Sequence, residues 1–446
     1  MYTYQDLQQH EGKEGERLDF VKQSIGQYQS SDLYREAKVA DEYARHRNRT
    51  ILQYQKMLYT ISGQTVPDNW SANYKLASNF FNRLITQQNQ YLLGNGCTWE
   101  DSTTKDKLGA DFDIRLQEAG KNSLIGGVSY GFFNLDHLEV FSALEFVPLY
   151  DEENGALMAG VRYWQIDSSK PLRATLYEMD GYTDYIWEKG EGRILKEKRP
   201  YITRTVYTEA DGLQIYDGMN YPSFPIVPLY GNPYKQSELV GMREQIDAYD
   251  LIKSGFANDL DDVSQIFWTI SNAGGMDDID LAEFVQRLKT VKAARVEDQE
   301  QVQAHTVDLP YQARETALDR IRKDIYRDFM ALDTEEIAGG AVTATQIKAS
   351  YEPLNNKTDQ YEYCVHEFIQ GILAIAGIED NPTFTRSMLI NQGEEIQDIM
   401  SATDILDEEY LTRKILTLLG DGDQAEEILA RKAADEISMG GLTEDE

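Results

Sequence analysis

The chain has 446 residues, 41% hydrophobic and 27% charged, enough for two or three separate cores and too apolar for a disordered polymer. Its 76 acidic residues against 43 basic ones leave a net charge of −33. That balance argues against a protein that grips nucleic acid by displacing counterions, but not against a surface past which DNA slides. No run approaches the ~20 apolar residues of a membrane helix. The best, Phe368 to Ile378, is short and contains Gln370 and two glycines. The N-terminal stretch has no basic flank followed by an apolar run, so a cytosolic origin is expected. Cys97 and Cys364 are too few for a disulfide framework and are expected as reduced thiols in or near a core.

In chain order, residues 17 to 64 read as helical up to Gly63, with Leu33 to Ala44 and Thr50 to Ile61 as its later stretches. Asn73 to Leu93 resumes helical spacing through Leu76, Phe80, Leu84, Ile85 and Leu92, and Gly94-Asn95-Gly96 ends it. Leu108 to Gly120 is a further helix. Gly126-Gly127 then reads as a turn into a strand, since no GxGxxG or GxxxxGK[ST] pattern accompanies it. From Leu138 to Pro228 the apolar period becomes two. Runs such as Leu144–Tyr150, Met158–Ile166, Arg173–Met179 and Tyr201–Tyr207 predict antiparallel hairpins, and Pro222 to Pro228 a stiff extended link.

A long helix is predicted from an N-cap at Ser237 to Val263, ~40 Å at 1.5 Å per residue. One face is apolar (Leu239, Met242, Ile246, Tyr249, Ile252, Phe256, Leu260, Val263) and another acidic. A compact segment to Leu309 carries a local basic cluster, Arg287, Lys289, Lys292 and Arg295. Pro310 suits the first position of a second helix through Leu318, Ile321, Ile325 and Phe329. Met330 to Val342 reads as a loop with a double glycine, Gly339-Gly340. The next helix, Gln346 to Ile375, should kink at Pro353. The C-terminal part is helical and acidic.

Chemistry is sparse. The five histidines, His10, His46, His137, His305 and His366, include no pair at metal-ligand spacing, and HExxH and CxxC are absent. No catalytic residue, metal or cofactor is expected.

One stretch is distinctive: Pro228-Leu229-Tyr230-Gly231-Asn232, then Ser237-Glu238-Leu239, then Gln245-Ile246-Asp247-Ala248-Tyr249-Asp250 and on through Ser254 to Asn258-Asp259-Leu260-Asp261-Asp262. Looser matches are Ala40-Asp41-Glu42-Tyr43, Asn79-Phe80-Phe81, Asp324-Ile325-Tyr326 and Gly339-Gly340-Ala341. In these residues and their order the chain resembles the portal proteins of long-tailed phages infecting Gram-positive bacteria. The resemblance implies an α+β, mainly α, portal fold. Its parts are a wing over residues 1–236, stem helices at 237–265 and 310–329, and a small α/β clip at 266–309. A tunnel loop at 330–344, a kinked long helix with wing return at 345–403 and a short helical crown at 404–446 complete it.

The function so implied is not enzymatic. It is a homo-dodecameric ring at the capsid portal vertex of the virion, assembled in the host cytoplasm, that admits, retains and releases double-stranded DNA. The implied partners are the large terminase, a head-completion or tail adaptor protein, and the major capsid and scaffolding proteins, with no membrane. Expected contacts are Thr334, Glu335, Glu336, Gly339 and Gly340 in the loop, Asp247, Asp250, Asp259, Asp261 and Asp262 facing the channel from the stem, and Arg287, Lys289, Lys292 and Arg295 in the clip. The competing readings are another capsid or tail connector or minor head protein, and an acidic intracellular enzyme with an unfamiliar site.

Overall fold

A computed structural model describes residues 1–59, 63–69, 71–207, 214–263, 267–271, 301–305, 311–335, 344–387, 399–401, 407–419, 425 and 428–431. The chain divides into two compact units, residues 1–333 with 353–385, and residues 334–352 with 386–446.

The first unit opens with helices α1 (Tyr4–Gln8), α2 (Glu14–Gln29), α3 (Asp32–Ala44) and α4 (Arg49–Gln53). Ser31 caps α3, its hydroxyl accepting from the Tyr34 amide. The helix expected over Thr50 to Ile61 stops at Gln53, because β1 (Met57–Tyr59) pairs antiparallel with β2 (Thr65–Pro67). Next come α5 (Phe80–Leu93), β3 (Cys97–Thr98), α6 (Thr104–Leu108) and α7 (Phe112–Gly126). Gly127 follows at φ +83, where a Cβ would meet the Gln236 backbone at 2.9 Å, so the helix-to-strand turn requires glycine.

The strands β4 (Val128–Asn134), β5 (His137–Ser142), β6 (Phe146–Tyr150), β7 (Leu157–Trp164), β8 (Leu172–Glu178), β9 (Gly181–Glu188) and β10 (Glu191–Arg199) then run in succession. They are followed by β11 (Ile202–Tyr207), β12 (Gln214–Met219) and β13 (Ile226–Tyr230). They build a five-stranded antiparallel meander, β10-β9-β8-β7-β6, a three-stranded sheet, β13-β4-β5, and the hairpin β11-β12. Most of the proline-rich link precedes the strand, and its last three residues, Ile226, Val227 and Pro228, open β13. β13 lies at a sheet edge, with Pro228 opposite Tyr130, where a missing N–H is tolerated.

Period-two alternation sends neighbouring residues of the meander to different cores. Val147, Val161 and Leu176 pack on Phe20, Val21, Ile25 and Tyr28 of α2. Phe146, Tyr177 and Tyr201 join Phe132 and Phe141 in an aromatic cluster. A third, helical core combines α3, α5 and α7 with Ile246, Ile325, Phe329, Phe368 and Ile372.

The chain continues through α8 (Arg243–Val263), β14 (Phe267–Ser271), β15 (Gln301–His305) and α9 (Tyr311–Phe329). After the second unit's α10 (Ala344–Ser350), α11 (Glu352–Ala376) and β16 (Thr383–Phe384, paired with β3) close the first unit. One kinked helix was expected over 346–375; two helices are found. Pro353 sits in the first turn of α11, where its missing N–H has no helical partner to lose. In the second unit, α12 (Glu408–Leu419) carries the ion pair Arg413–Glu409 at 2.9 Å and buries Leu411.

Helix α9 ends in a Schellman motif with methionine in the glycine place. Met330 adopts φ +63, its amide donates to the Arg327 carbonyl (3.0 Å) and the Ala331 amide to the Tyr326 carbonyl (2.9 Å). Met330 is 37% exposed, so replacing it by glycine removes the left-handed strain together with the contacts of a partly buried side chain. Met330→Gly is expected to be more stable than Met330→Ala, which loses the same contacts and keeps the strain, by roughly 0.5–1 kcal/mol in chemical denaturation, and a glycine variant less stable than the alanine one would refute the strain.

Candidate functional site

Helix α8 begins later than its sequence suggests. Ser237 is buried, but its hydroxyl accepts from the Leu239 amide (3.1 Å) in a turn that runs through Gly241 at φ +83 before α8 starts at Arg243. At 1.5 Å per residue the 21-residue helix is ~32 Å long. Helices α8 and α9 lie antiparallel, since residues early in one meet residues late in the other. Gln245 donates to Asp328 (2.6 Å), Arg314 pairs with Asp259, and the Phe256 and Tyr311 rings meet edge-on at 5.8 Å. Tyr249, Phe256, Tyr311, Leu318 and Arg322 line an open groove along the pair. The strands β14 and β15 pair directly at its far end, Phe267 opposite His305.

The polar face of α8 is turned inward. Three alternate amides of the extended segment before α5 donate to it: Ser78 to Asp250 (2.8 Å), Leu76 to Ser254 (3.0 Å) and Tyr74 to Asn258 (2.6 Å). Four helical residues advance ~6.0 Å and two extended residues ~6.6 Å, so side chains at i, i+4 and i+8 match amides at j, j−2 and j−4. The helix thus takes the place of a strand partner. Asp250 also accepts from the Asn48 side chain, and Asp247 accepts from the hydroxyls of Tyr43 and Thr50, the latter at 2.7 Å. Burial pushes the Asp250 carboxyl above its ordinary value, the neighbouring Asp247 adding to it against the hydrogen bonds from Asn48 and Ser78.

Two of the five carboxylates expected to face a channel are therefore corrected. Asp250 has no exposed surface and Asp247 little, because both hold the N-terminal segments to the helix. Asp259 is partly exposed in its pair with Arg314, and Asp261 is exposed. Asp262 belongs to α8, while its side chain lies outside the described residues. Thr334 and Glu335 are exposed. Glu336, Gly339 and Gly340, and the cluster Arg287, Lys289, Lys292 and Arg295, lie outside the described residues.

The turn before α8 is equally built. A Cβ on Gly231 would stand 2.6 Å from the Ser123 carbonyl oxygen, so only glycine lets the strand end approach α7. The Asn232 amide donates to Glu238 (2.9 Å), whose other oxygen holds Lys357 of α11 at 2.6 Å. Lys357 also donates to the Phe329 carbonyl (3.0 Å), the last of α9. Burial lowers the Lys357 ammonium below its ordinary value, opposed by the Glu238 charge. Nothing in the sequence singled out Lys357. Ser254 and Asn258 carried a signal, their spacing of four from Asp250, without a role. Among the described residues no group of His, Cys, Asp and Glu could hold a metal, and no helix is long and apolar enough to cross a membrane. Cys97 (buried) and Cys364 (half-buried) are both free thiols.

A family model described as phage portal protein, SPP1 Gp6-like, matches residues 34–437. The chain belongs to that family. Its curated relatives include the portal protein of Clostridium phage phiCD119, 27% identical over 291 residues, which are 61% of this chain and 62% of that protein. The portal protein of Bacillus phage SPP1 is 24% identical over 381 residues, 77% of this chain and 72% of its own length. Among solved structures, a chain in the neck of an empty gene transfer agent particle, computed with C6 symmetry, aligns with TM-score 0.44 and 12% identity, covering 77% of this chain and 90% of that one. A chain in the native virion of the gene transfer agent aligns to the same degree. This is a portal-family chain, and the stretch that is distinctive in its sequence forms the inward polar face of α8 with the turn that precedes it.

Proposed function

We propose that the chain is the subunit of a dodecameric ring at one capsid vertex of the virion. Through it double-stranded DNA is packaged and later ejected, and on it the large terminase and the tail adaptor dock in turn, with major capsid and scaffolding proteins around it. The observation that carries this reading is the portal-family match across residues 34–437. The antiparallel pair α8 and α9, bracketing residues 264–310, fits the stem and clip of such a subunit. The open groove with Tyr249, Phe256 and Tyr311 gives a neighbouring copy an apolar surface to cover. The proposed regions are a wing to residue 236, a clip at 266–309, a tunnel loop at 330–344, a wing return to 403 and a crown at 404–446. Asp259, Asp261 and Asp262 remain the stem's candidates for the channel. Thr334, Glu335, Glu336, Gly339 and Gly340 are the candidates for the DNA-facing loop, and Arg287, Lys289, Lys292 and Arg295 for the docking partners. The ring performs no catalysis in this reading and needs no cofactor.

Each copy carries −33, so subunits repel one another over a Debye length that shrinks from ~30 Å at 0.01 M salt to ~8 Å at physiological strength. Negative-stain images and native mass measurements of the purified protein are therefore expected to show twelvefold rings with an open centre, their yield rising with salt. A monomer at micromolar concentration under every salt condition refutes the reading.

A further inference from the structure

The last residues of the first unit's long segment are held far more tightly than a loop root requires. Phe329 gives its carbonyl to Lys357, and Met330 and Ala331 close the Schellman turn. Leu332, 4% exposed, is gripped at both backbone groups by one side chain of another helix. The Gln87 amide nitrogen donates to the Leu332 carbonyl (3.0 Å), and the Leu332 N–H donates to the Gln87 amide oxygen (3.0 Å). Asp333, its side chain 8% exposed, then pairs with Arg322 of α9 at 2.8 Å. The first unit's segment ends at that residue.

A side-chain amide that pairs with both groups of one residue imitates a strand partner, and it fixes the direction of that residue as well as its place. Gln87 is well placed to do so. It stands on α5 between Leu84, Gln88 and Tyr91, all buried, so the amide is presented from a fixed backbone. Packing does not require glutamine here, because Gln87 is itself only half-buried.

We propose that Gln87 is a positioning residue that sets where, and in which direction, the chain leaves α9 for the candidate DNA-facing loop, so that the loop starts from a root fixed up to Asp333. This rests on the portal reading. The root itself is a property of the chain and can be tested without it.

Hydrogen exchange on the purified full chain compares wild type with Gln87→Leu, which keeps size and loses both bonds, and Gln87→Glu, which keeps only the acceptor. In Gln87→Leu the Leu332 amide is expected to exchange roughly tenfold faster or more, with α9 residues 314–326 unchanged and Gln87→Glu intermediate. Particles assembled with the leucine variant are expected to contain normal rings but a shorter length of nuclease-protected DNA. Unchanged exchange at Leu332 overturns the proposal, as does an acceleration spread evenly along α9. Full-length protected DNA despite a loosened Leu332 overturns it too. If wild-type protein gives no rings, the portal reading fails, and the exchange result still decides whether Gln87 fixes the root.

Discussion

Lys357→Ala is expected to lower the stability of the first unit by about 3–5 kcal/mol, the range for removing one partner of a buried ion pair. Both partners are largely buried, at 15% and 11% side-chain exposure. The ammonium stands 3.3 Å from the centre of the Phe329 ring, so its surroundings are apolar apart from the groups it binds. Truncation leaves the Glu238 carboxylate with the Asn232 amide as its one side-chain donor among the described residues and leaves the Phe329 carbonyl, at the end of α9, without this donor. The cost arises from groups left unpaired, so it should shrink when both charges are removed. Lys357→Met with Glu238→Gln is expected to lose clearly less than the sum of the single changes. Chemical unfolding at one fixed protein concentration measures the wild type, the alanine variant, the two single changes and the double variant, which keeps self-association from altering the comparison. A single-mutant loss under ~1 kcal/mol would mean that water already reaches the pair.

The sheets were legible because period two and the turn clusters Asp151 to Gly155, Asp180-Gly181 and Lys189 to Gly192 determine them locally. Helices α8 and α9 were legible for the same reason, through apolar positions three and four apart. The misreadings share one cause. Tyr74 to Ser78 looked helical because their residues suit a helix, and only the distant α8 supplies the acceptors that hold them extended. Ile226 to Pro228 looked like part of the link because prolines reject the interior of a sheet, and only the topology reveals an edge for Pro228. Asp247 and Asp250 looked like a solvated acidic face because a carboxylate's partner cannot be read from its own helix. Gln87 and Lys357 left no trace, since each acts on a backbone group or charge more than a hundred residues away or held by another element. The family resemblance was right for the chain, while the role of the polar residues that carried it came from the contacts they make.

Asp250 carries the second large effect. Its two oxygens are the acceptors for the Ser78 amide and the Asn48 side chain, both within the buried seam between α8 and the N-terminal segments. Asp250→Ala leaves two buried donors without that partner, each costing about 1–3 kcal/mol, and relieves the burial of a carboxylate. The net loss is expected to be about 2–4 kcal/mol. Asp250→Asn keeps one acceptor but turns an amide donor towards a second donor, so about 1–2 kcal/mol is expected there. The pH dependence gives an independent check. The folded carboxyl titrates above its unfolded value, so between the two the native state binds more protons than the unfolded one, and stability falls as pH rises through that window. The alanine variant lacks this linkage. Its deficit relative to wild type must therefore widen as pH is lowered from neutral towards the ordinary carboxylate range, and a deficit that narrows instead would place Asp250 as an ion held by its hydrogen bonds. Hydrogen exchange locates the damage: the amides of Tyr74, Leu76 and Ser78 should lose protection together, because removing the first rung lets the extended segment lift away from Ser254 and Asn258.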